Sequence, residues 1–199
     1  MKNKKIVFVL LCAVIMLFSG CGKDIVCKDG TAVIKKSDIK LSFPENWSVC
    51  IGDDIYNKLY SEFSEEYSSS EELKHAYEDN GERLLLEGNS PDGGVSFLLS
   101  EANKGETGAD ELAKAICATS EFEFQSAGFY TESDIRDMTW SGIEGVMYTV
   151  RASEKKDEPV ILEEREFCFE CEELIYSLKI NLYGGFESKA EKIDISRGK

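Results

Sequence analysis

The chain has 199 residues, of which 38 are Asp or Glu and 23 are Lys or Arg, so its formal net charge is −15 at pH 7. This acidity argues against a nucleic-acid-binding protein, since contacts to phosphates require basic patches. The length suits one domain with a substantial core.

The N-terminus has the order of a secretory signal peptide. Lys2, Lys4 and Lys5 precede thirteen uncharged apolar residues at 6–18, and small residues follow them. A helix of that length covers about 20 Å, whereas the hydrocarbon core of a membrane is about 30 Å thick. A membrane-spanning helix is therefore the weaker interpretation, and we predict that residues 1–20 are a cleaved signal peptide.

The next four residues, Phe18-Ser19-Gly20-Cys21, resemble the lipobox of bacterial lipoproteins, although Phe18 stands where that family usually has Leu. The resemblance implies that Cys21 receives a diacylglyceryl group and that the peptide bond before it is cut. Two or more acyl chains give stable attachment to a membrane. We therefore expect a lipid-anchored protein on the extracytoplasmic face of the cell membrane. The alternative is an ordinary secreted protein that is cut nearby.

Cleavage at Cys21 would leave 179 residues with a net charge of −18, because residues 1–20 contain three lysines and no acids. Residues 21–36 are interpreted as the lipidated Cys and a polar tether, which reaches at most roughly 50 Å when fully extended. Residues 37–199 are expected to form a single domain. Its negative charge should hold the domain close to, but off, an anionic lipid surface.

Hydrophobic periodicity predicts an α+β fold. Strands are expected at residues 31–35, 38–43, 83–87, 95–101, 131–140, 143–153, 160–169 and 174–182. Helices are expected at residues 53–63, 71–78, from 107 to before Gly128, and at 186–195. Short connections between successive strands favour antiparallel pairing, so we predict an antiparallel β-sheet with helices on one face.

The stretch Phe43-Pro44-Glu45-Asn46-Trp47 ends one of these predicted strands. Such a strand, followed by a helix, a hairpin, a longer helix and a β-meander, resembles the PsbP/DcrB-like fold of many small bacterial lipoproteins. The resemblance covers residues 37–192 and implies an antiparallel sheet flanked by helices. Proteins with the PsbP/DcrB-like fold are mostly non-enzymatic assembly, binding or accessory proteins. The resemblance therefore implies no catalytic residues in this chain.

Besides Cys12 in the predicted signal peptide and Cys21, the chain contains Cys27, Cys50, Cys117, Cys168 and Cys171. Five thiols cannot all pair within one chain. Cys168 and Cys171 have CxxC spacing, but they are predicted between two strands and beside glutamates, and negative neighbours raise the pKa of a thiol. Structural thiols, a disulfide, and a redox or metal site all remain open for this pair.

Other candidates for chemistry are few. His75 is the single histidine and is predicted to be a solvated helix residue. With 38 carboxylates, close acidic pairs are expected by chance, so none is singled out. Trp47 and Trp140, together with Tyr56, Tyr60 and Tyr67, could line a ligand groove, although aromatic residues at such spacing usually pack in a core.

The sequence therefore predicts a non-enzymatic, lipid-anchored accessory or binding protein of unknown ligand, with Cys21 as the lipid attachment site and with no metal or cofactor site. The alternative is a thiol- or metal-dependent enzyme that uses Cys168 and Cys171.

Overall fold

In a computed structural model of the chain, the residues described are 24–61, 66–105, 107–184 and 190–198. The predicted signal peptide and Cys21 lie outside them. The eleven strands found in these residues are β1 (Ile25–Lys28), β2 (Thr31–Ile34), β3 (Ile39–Ser42), β4 (Ser48–Ile51), β5 (Glu82–Asn89), β6 (Val95–Asn103), β7 (Tyr130–Trp140), β8 (Ile143–Ser153), β9 (Leu162–Cys171), β10 (Leu174–Tyr183) and β11 (Asp194–Arg197). The helices are α1 (Asp53–Tyr60), α2 (Ser70–Asp79) and α3 (Ala109–Ser126).

The strands form two antiparallel sheets. The small sheet has the order β1-β2-β3-β11, and the large sheet has the order β4-β5-β6-β10-β9-β8-β7. The predicted α+β fold, with antiparallel strands flanked by helices, is confirmed. The division into two sheets was not predicted, nor was strand β4.

One face of the large sheet packs against the small sheet. Alternate residues of β10 point into this layer, as predicted for the last long strand: Tyr176, Leu178, Ile180 and Leu182 are all buried there. Phe97 of β6 lies at its centre, with ring centroids 5.3 Å from Phe43 and 5.9 Å from Trp47. The Phe43–Trp47 stretch therefore closes the core between the sheets.

The opposite face of the large sheet carries the helices. Ile55 and Tyr56 of α1 and Leu73 of α2 pack against Leu84 of β5. Helix α3 lies over β7, β8 and β9. The two central strands, β6 and β10, lie between these groups of helices.

Helix α3 begins close to the predicted start, but its N-terminus is satisfied differently. Its N-cap is Gly108, without a side-chain cap hydrogen bond. The Ala109 N–H instead donates to Glu170 of β9 at 3.2 Å, and the ammonium of Lys104 donates to the other oxygen of Glu170 at 2.5 Å. A carboxylate that is distant in the sequence therefore accepts the hydrogen bond that an N-cap side chain would otherwise accept.

The predicted tether requires correction. Residues 25–34 form a hairpin in the small sheet, because Asp29 and Gly30 adopt positive φ angles of 49° and 69° at the turn and β1 pairs with β2. Ile25 is buried against the larger sheet. The folded part of the chain therefore includes residues assigned to the tether from the sequence.

The predicted C-terminal helix at residues 186–195 also requires correction. Residues 194 and 195 belong to β11, which pairs with β3 and places Ile195 beside Leu41 in the core. Residues 185–189 lie outside those described. The helix that the sequence predicted at residues 53–63 is α1, which ends at Tyr60. Residues 62–65 also lie outside the described residues. Among the described residues, no helix combines the length and apolar composition that a membrane crossing requires.

Candidate functional site

A cleft of about 220 Å³ opens over the central strands, between α2 and α3. Its walls are apolar and include Leu84, Leu98 and Ile175 from the sheet and Leu112 and Ile116 from α3. Its polar lining includes Tyr77, Glu82, Ser100, Glu166, Ser177 and Lys179. The cleft exists because the helices pack against the two ends of one face of the large sheet. They leave the central strands of that face uncovered.

A buried polar network adjoins the cleft. Glu164 and Glu166 of β9 are only 7% and 4% exposed, and the hydroxyl of Tyr148 on β8 lies 2.6 Å from the first carboxylate and 2.5 Å from the second. Ser120 of α3 donates to Glu164 at 2.5 Å, and Ser177 of β10 donates to Glu166. Hydrogen bonds therefore replace the water that both carboxylates give up on burial.

Lys179 supplies the positive charge of this network. Its ammonium nitrogen lies 3.3 Å from Glu164 and 3.6 Å from Glu166. Burial opposes the charge of Lys179, but Glu166 and Glu164 more than offset it and hold the pKa of the amine above its ordinary value. Lys179 is therefore a protonated counter-ion and not a free base.

Two other groups in this layer are also held protonated. Burial, reinforced by the charges of Glu166 and Glu164, raises the pKa of the Tyr148 hydroxyl. Burial, with a further contribution from Glu166, raises the pKa of the Cys168 thiol. A nucleophile or a general base needs the opposite shift, toward the deprotonated form near neutral pH. The raised pKa values therefore favour the protonated forms of Tyr148, Cys168 and Lys179.

The structure separates the two cysteines of the CxxC sequence. Both belong to β9, where residues three positions apart point to opposite faces of the sheet. Cys168 packs in the layer under α3, whereas Cys171 faces the small sheet, with its sulfur 3.9 Å from the Ser37 carbonyl oxygen. The pair therefore cannot act together on one substrate in this fold.

The remaining predicted candidates are also dispersed. Cys27 is exposed, Cys50 is partly exposed, and Cys117 is buried on the side of α3 that faces the large sheet. His75 is exposed on α2, with Nδ1 3.5 Å from Glu78. Trp47 and Trp140 pack in the layer between the sheets or at its margin, and not around a shared groove. Within the described ranges, no three potential ligands come together as a metal site.

A larger depression of about 970 Å³ lies beside the N-terminus of α3. It is wide open, and Asp110, Asp137, Glu144 and Glu170 line it. Open acidic surfaces of this kind are well solvated. The cleft differs because Glu166 on its lining is buried and tied to a defined network.

Reasoning from the sequence missed Glu164, Glu166, Tyr148 and Lys179. A usable signal was present, because Glu164, Glu166 and Cys168 alternate along one face of β9, and a buried face rarely carries two acids without partners. Lys179 likewise lies within the apolar run of β10. Pairing of these strands, which the sequence pattern does not specify, brings the four side chains together.

Neither family models nor curated proteins match the sequence. The chain is similar to the solution structure of cyanobacterial PsbP (CyanoP) from Synechocystis sp. PCC 6803, with a TM-score of 0.50 and 8% identity over 88% of this chain and 95% of that one. A weaker likeness, to LpqN involved in cell envelope biogenesis of Mycobacterium tuberculosis, has a TM-score of 0.44 and 12% identity, covering 81% and 83% of the two chains. The likeness to CyanoP supports the PsbP-like fold that the sequence resemblance implied.

Proposed function

We propose that this chain is a lipid-anchored, extracytoplasmic accessory protein that binds a partner and does not catalyse a reaction. The observation that carries the proposal is the protonation of the buried network, in which Tyr148, Cys168 and Lys179 all have raised pKa values. Each is thereby kept out of its reactive form. The PsbP-like fold is compatible with a binding role.

The size of the cleft indicates what it accepts. Small-molecule sites in proteins are usually about 300–1,000 Å³, and the cleft is about 220 Å³. This space suits an aliphatic side chain of a partner protein better than a cofactor. Apolar walls at Leu98 and Leu112, next to the polar groups of Ser177 and Lys179, would receive such a side chain.

The proposed anchor rests on the N-terminal sequence. Thirteen apolar residues and Ser19-Gly20 precede Cys21, in the order typical of lipoproteins. The described structure starts at Asp24, only three positions later. Acylation at Cys21 would therefore place the folded domain directly at the membrane surface.

Fractionation of cells that express the full-length chain tests the anchor. We expect the native protein to be in the membrane fraction with an acylated N-terminal Cys21 by mass spectrometry, and Cys21→Ala to lack the acyl group and lose stable attachment. The matched control is Cys27→Ala, which removes an exposed thiol of β1 and should leave attachment unchanged. A Cys21→Ala protein that is still processed and retained in the membrane contradicts the proposal.

The same membranes test the binding role. A photo-crosslinking residue at Leu112, on the cleft wall, should yield a specific adduct that disappears when Ala102→Phe fills the cleft. The same residue at Phe122, which is 70% exposed on α3, is the control and should not yield that adduct. Identical adducts at both positions would show that the cleft is not the binding site.

A further inference from the structure

Among the described residues, one face of the small sheet packs against no other layer. Ile34, Ile39 and Leu41 point toward the large sheet, so their neighbours along the strands point outward. Register places the outward residues in two rows across β1, β2 and β3. We call this surface the outer face, and its residues are Val26, Lys28, Thr31, Val33, Lys40 and Ser42.

The outer face combines two valines with two lysines. Val26 is 43% exposed and pairs with Val33, which pairs in turn with Lys40. The Lys28 side chain is 81% exposed, and its nearest acid, Asp29, is an equally solvated neighbour at 3.7 Å. Such an exposed pair is weak and leaves the ammonium available to other anions.

An acid of the neighbouring edge strand is already engaged. Asp194 of β11 accepts hydrogen bonds from the Trp140 indole at 3.0 Å and from the Ser141 hydroxyl at 2.6 Å. These two hydrogen bonds hold the Asp194 carboxylate at the turn between β7 and β8. The charged residues on the β1–β3 part of the outer face are therefore lysines.

Charge is divided unevenly along the chain. Residues 22–42 contain five lysines and three aspartates, for a net charge of +2, whereas residues 43–199 contain 15 basic and 35 acidic residues, for a net charge of −20. Residues 22–42, which include β1, β2 and β3, are therefore slightly positive, whereas the rest of the predicted mature chain is strongly negative. An anionic surface attracts the first part and repels the second.

The chain geometry brings this part to the membrane. Asp24 is three positions after Cys21 in the chain, a step that spans at most about 10 Å. That distance is close to the Debye length of about 8 Å at physiological salt, so the charges on β1 would lie within range of lipid headgroups. Strand β1 is also one of the two edge strands of the small sheet.

We propose that the outer face of the small sheet lies against the anionic lipid surface of the membrane that holds the anchor. The inference rests on the proposed acylation of Cys21. It revises the expectation that charge holds the whole domain off the bilayer, because the repelled charge lies elsewhere in the chain. The helices cover the opposite side of the large sheet, so this orientation turns the cleft between α2 and α3 away from the membrane.

Lysine acetylation on vesicles tests the orientation. Protein purified from the membranes of cells that express the full-length chain is reconstituted on vesicles of phosphatidylcholine with phosphatidylglycerol, or of phosphatidylcholine alone, and acetylation rates are measured by mass spectrometry. We expect acetylation of Lys28 and Lys40 to be about fivefold slower on the anionic vesicles, given the attraction of each lysine to such a surface. Lys114, which is exposed on α3 in the opposite layer, should react equally on both.

A charge-reversal variant sharpens the result. A thiol introduced on the outer face by Thr31→Cys should be alkylated more slowly on the anionic vesicles than on the neutral ones. Lys28→Glu with Lys40→Glu should abolish that difference, and Lys114→Glu should not. Equal acetylation of Lys28 and Lys40 on both vesicle types, in protein that sediments with them, overturns the orientation alone. Protein that sediments with neither vesicle type overturns the lipid anchor, and the orientation falls with it.

Discussion

The two faces of the large sheet are built from the same strands but differ in chemistry. Toward the small sheet, aromatic rings stack within β9 and between β9 and β10. The ring centroids of Phe167 and Phe169 are 5.3 Å apart, and those of Phe169 and Tyr176 are 5.5 Å apart. Toward the helices, two apolar clusters are separated by the cleft and by the network around Glu164 and Glu166. The face toward the small sheet is a continuous apolar core, and the face toward the helices contains the candidate site.

This difference predicts where stability resides. Burial of apolar surface contributes about 25 cal/mol for each Å² removed from water, without a requirement for special geometry. A buried ion pair gains little net stability, because desolvation offsets most of the attraction. We therefore expect the layer between the sheets to hold the fold together, and the network to fix the position of groups beside the cleft.

The largest expected effect is in the layer between the sheets. Phe97→Ala should lower the free energy of unfolding by about 3–5 kcal/mol, because it leaves a cavity between Phe43 and Trp47. Urea unfolding measures the change. The control is Phe122→Ala at an exposed site on α3, which should stay within about 0.5 kcal/mol of the native protein. Similar losses for both variants would contradict a core centred on Phe97.

A smaller loss is expected in the network. Lys179→Met should lower the free energy of unfolding by about 2 kcal/mol, because it leaves Glu164 and Glu166 without their counter-ion. The loss stays below that for a fully buried ion, since the Lys179 side chain is 28% exposed. Urea unfolding at neutral pH measures it.

A double variant checks the cause. Adding Glu166→Gln to Lys179→Met should restore part of the stability, because one of the two uncompensated carboxylates is then neutral. Losses that simply add would show that Lys179 does not stabilise the fold as the counter-ion of Glu166.

The sequence predicted the layer between the sheets better than the helix layer. In β10, Tyr176, Leu178, Ile180 and Leu182 alternate without interruption, and that periodicity is local information. The hairpin of β5 and β6 was likewise visible from its turn residues. Strands β1 and β11 have only four residues each, too few for a periodic pattern, although Asp29-Gly30 is a recognised hairpin turn.

The site was not predictable by the same means. Glu164 and Glu166 are two of 38 carboxylates, and only the pairing of β8, β9 and β10 shows that they share Tyr148 and Lys179. The cleft depends on which strands the helices leave uncovered, which is a property of packing. The separation of Cys168 from Cys171, in contrast, needs no tertiary information. If both cysteines are placed in one strand, residues three positions apart point to opposite faces.

The smallest expected effect is a loss of stability at alkaline pH. It can be compared between the two faces of the large sheet, because each face contains a buried tyrosine with a raised pKa. Burial raises the pKa of Tyr176 to about 12, and burial together with Glu166 and Glu164 raises that of Tyr148 further above its ordinary value. Tyrosines in the unfolded chain ionise near pH 10. Below about pH 10 both states keep the proton, so the contribution to stability is fully present. Above it the unfolded chain loses protons that the folded chain keeps, and stability falls.

Urea unfolding at about pH 8 and about pH 11 measures this loss in the native protein, Tyr148→Phe and Tyr176→Phe. Each substitution should remove about 1 kcal/mol of the alkaline loss, because one pH unit beyond the unfolded pKa corresponds to that amount for a single proton. Lys179, whose pKa is also raised, contributes in the same direction, so Lys179→Met serves as the reference for the network. As the pH rises further, the benefit of Tyr176→Phe should level off near pH 12, where Tyr176 in the folded protein ionises, whereas that of Tyr148→Phe should continue to grow. An equal benefit from the two substitutions throughout that range would mean that the carboxylates do not hold the Tyr148 proton, and the distinction between the two faces would then rest on packing alone.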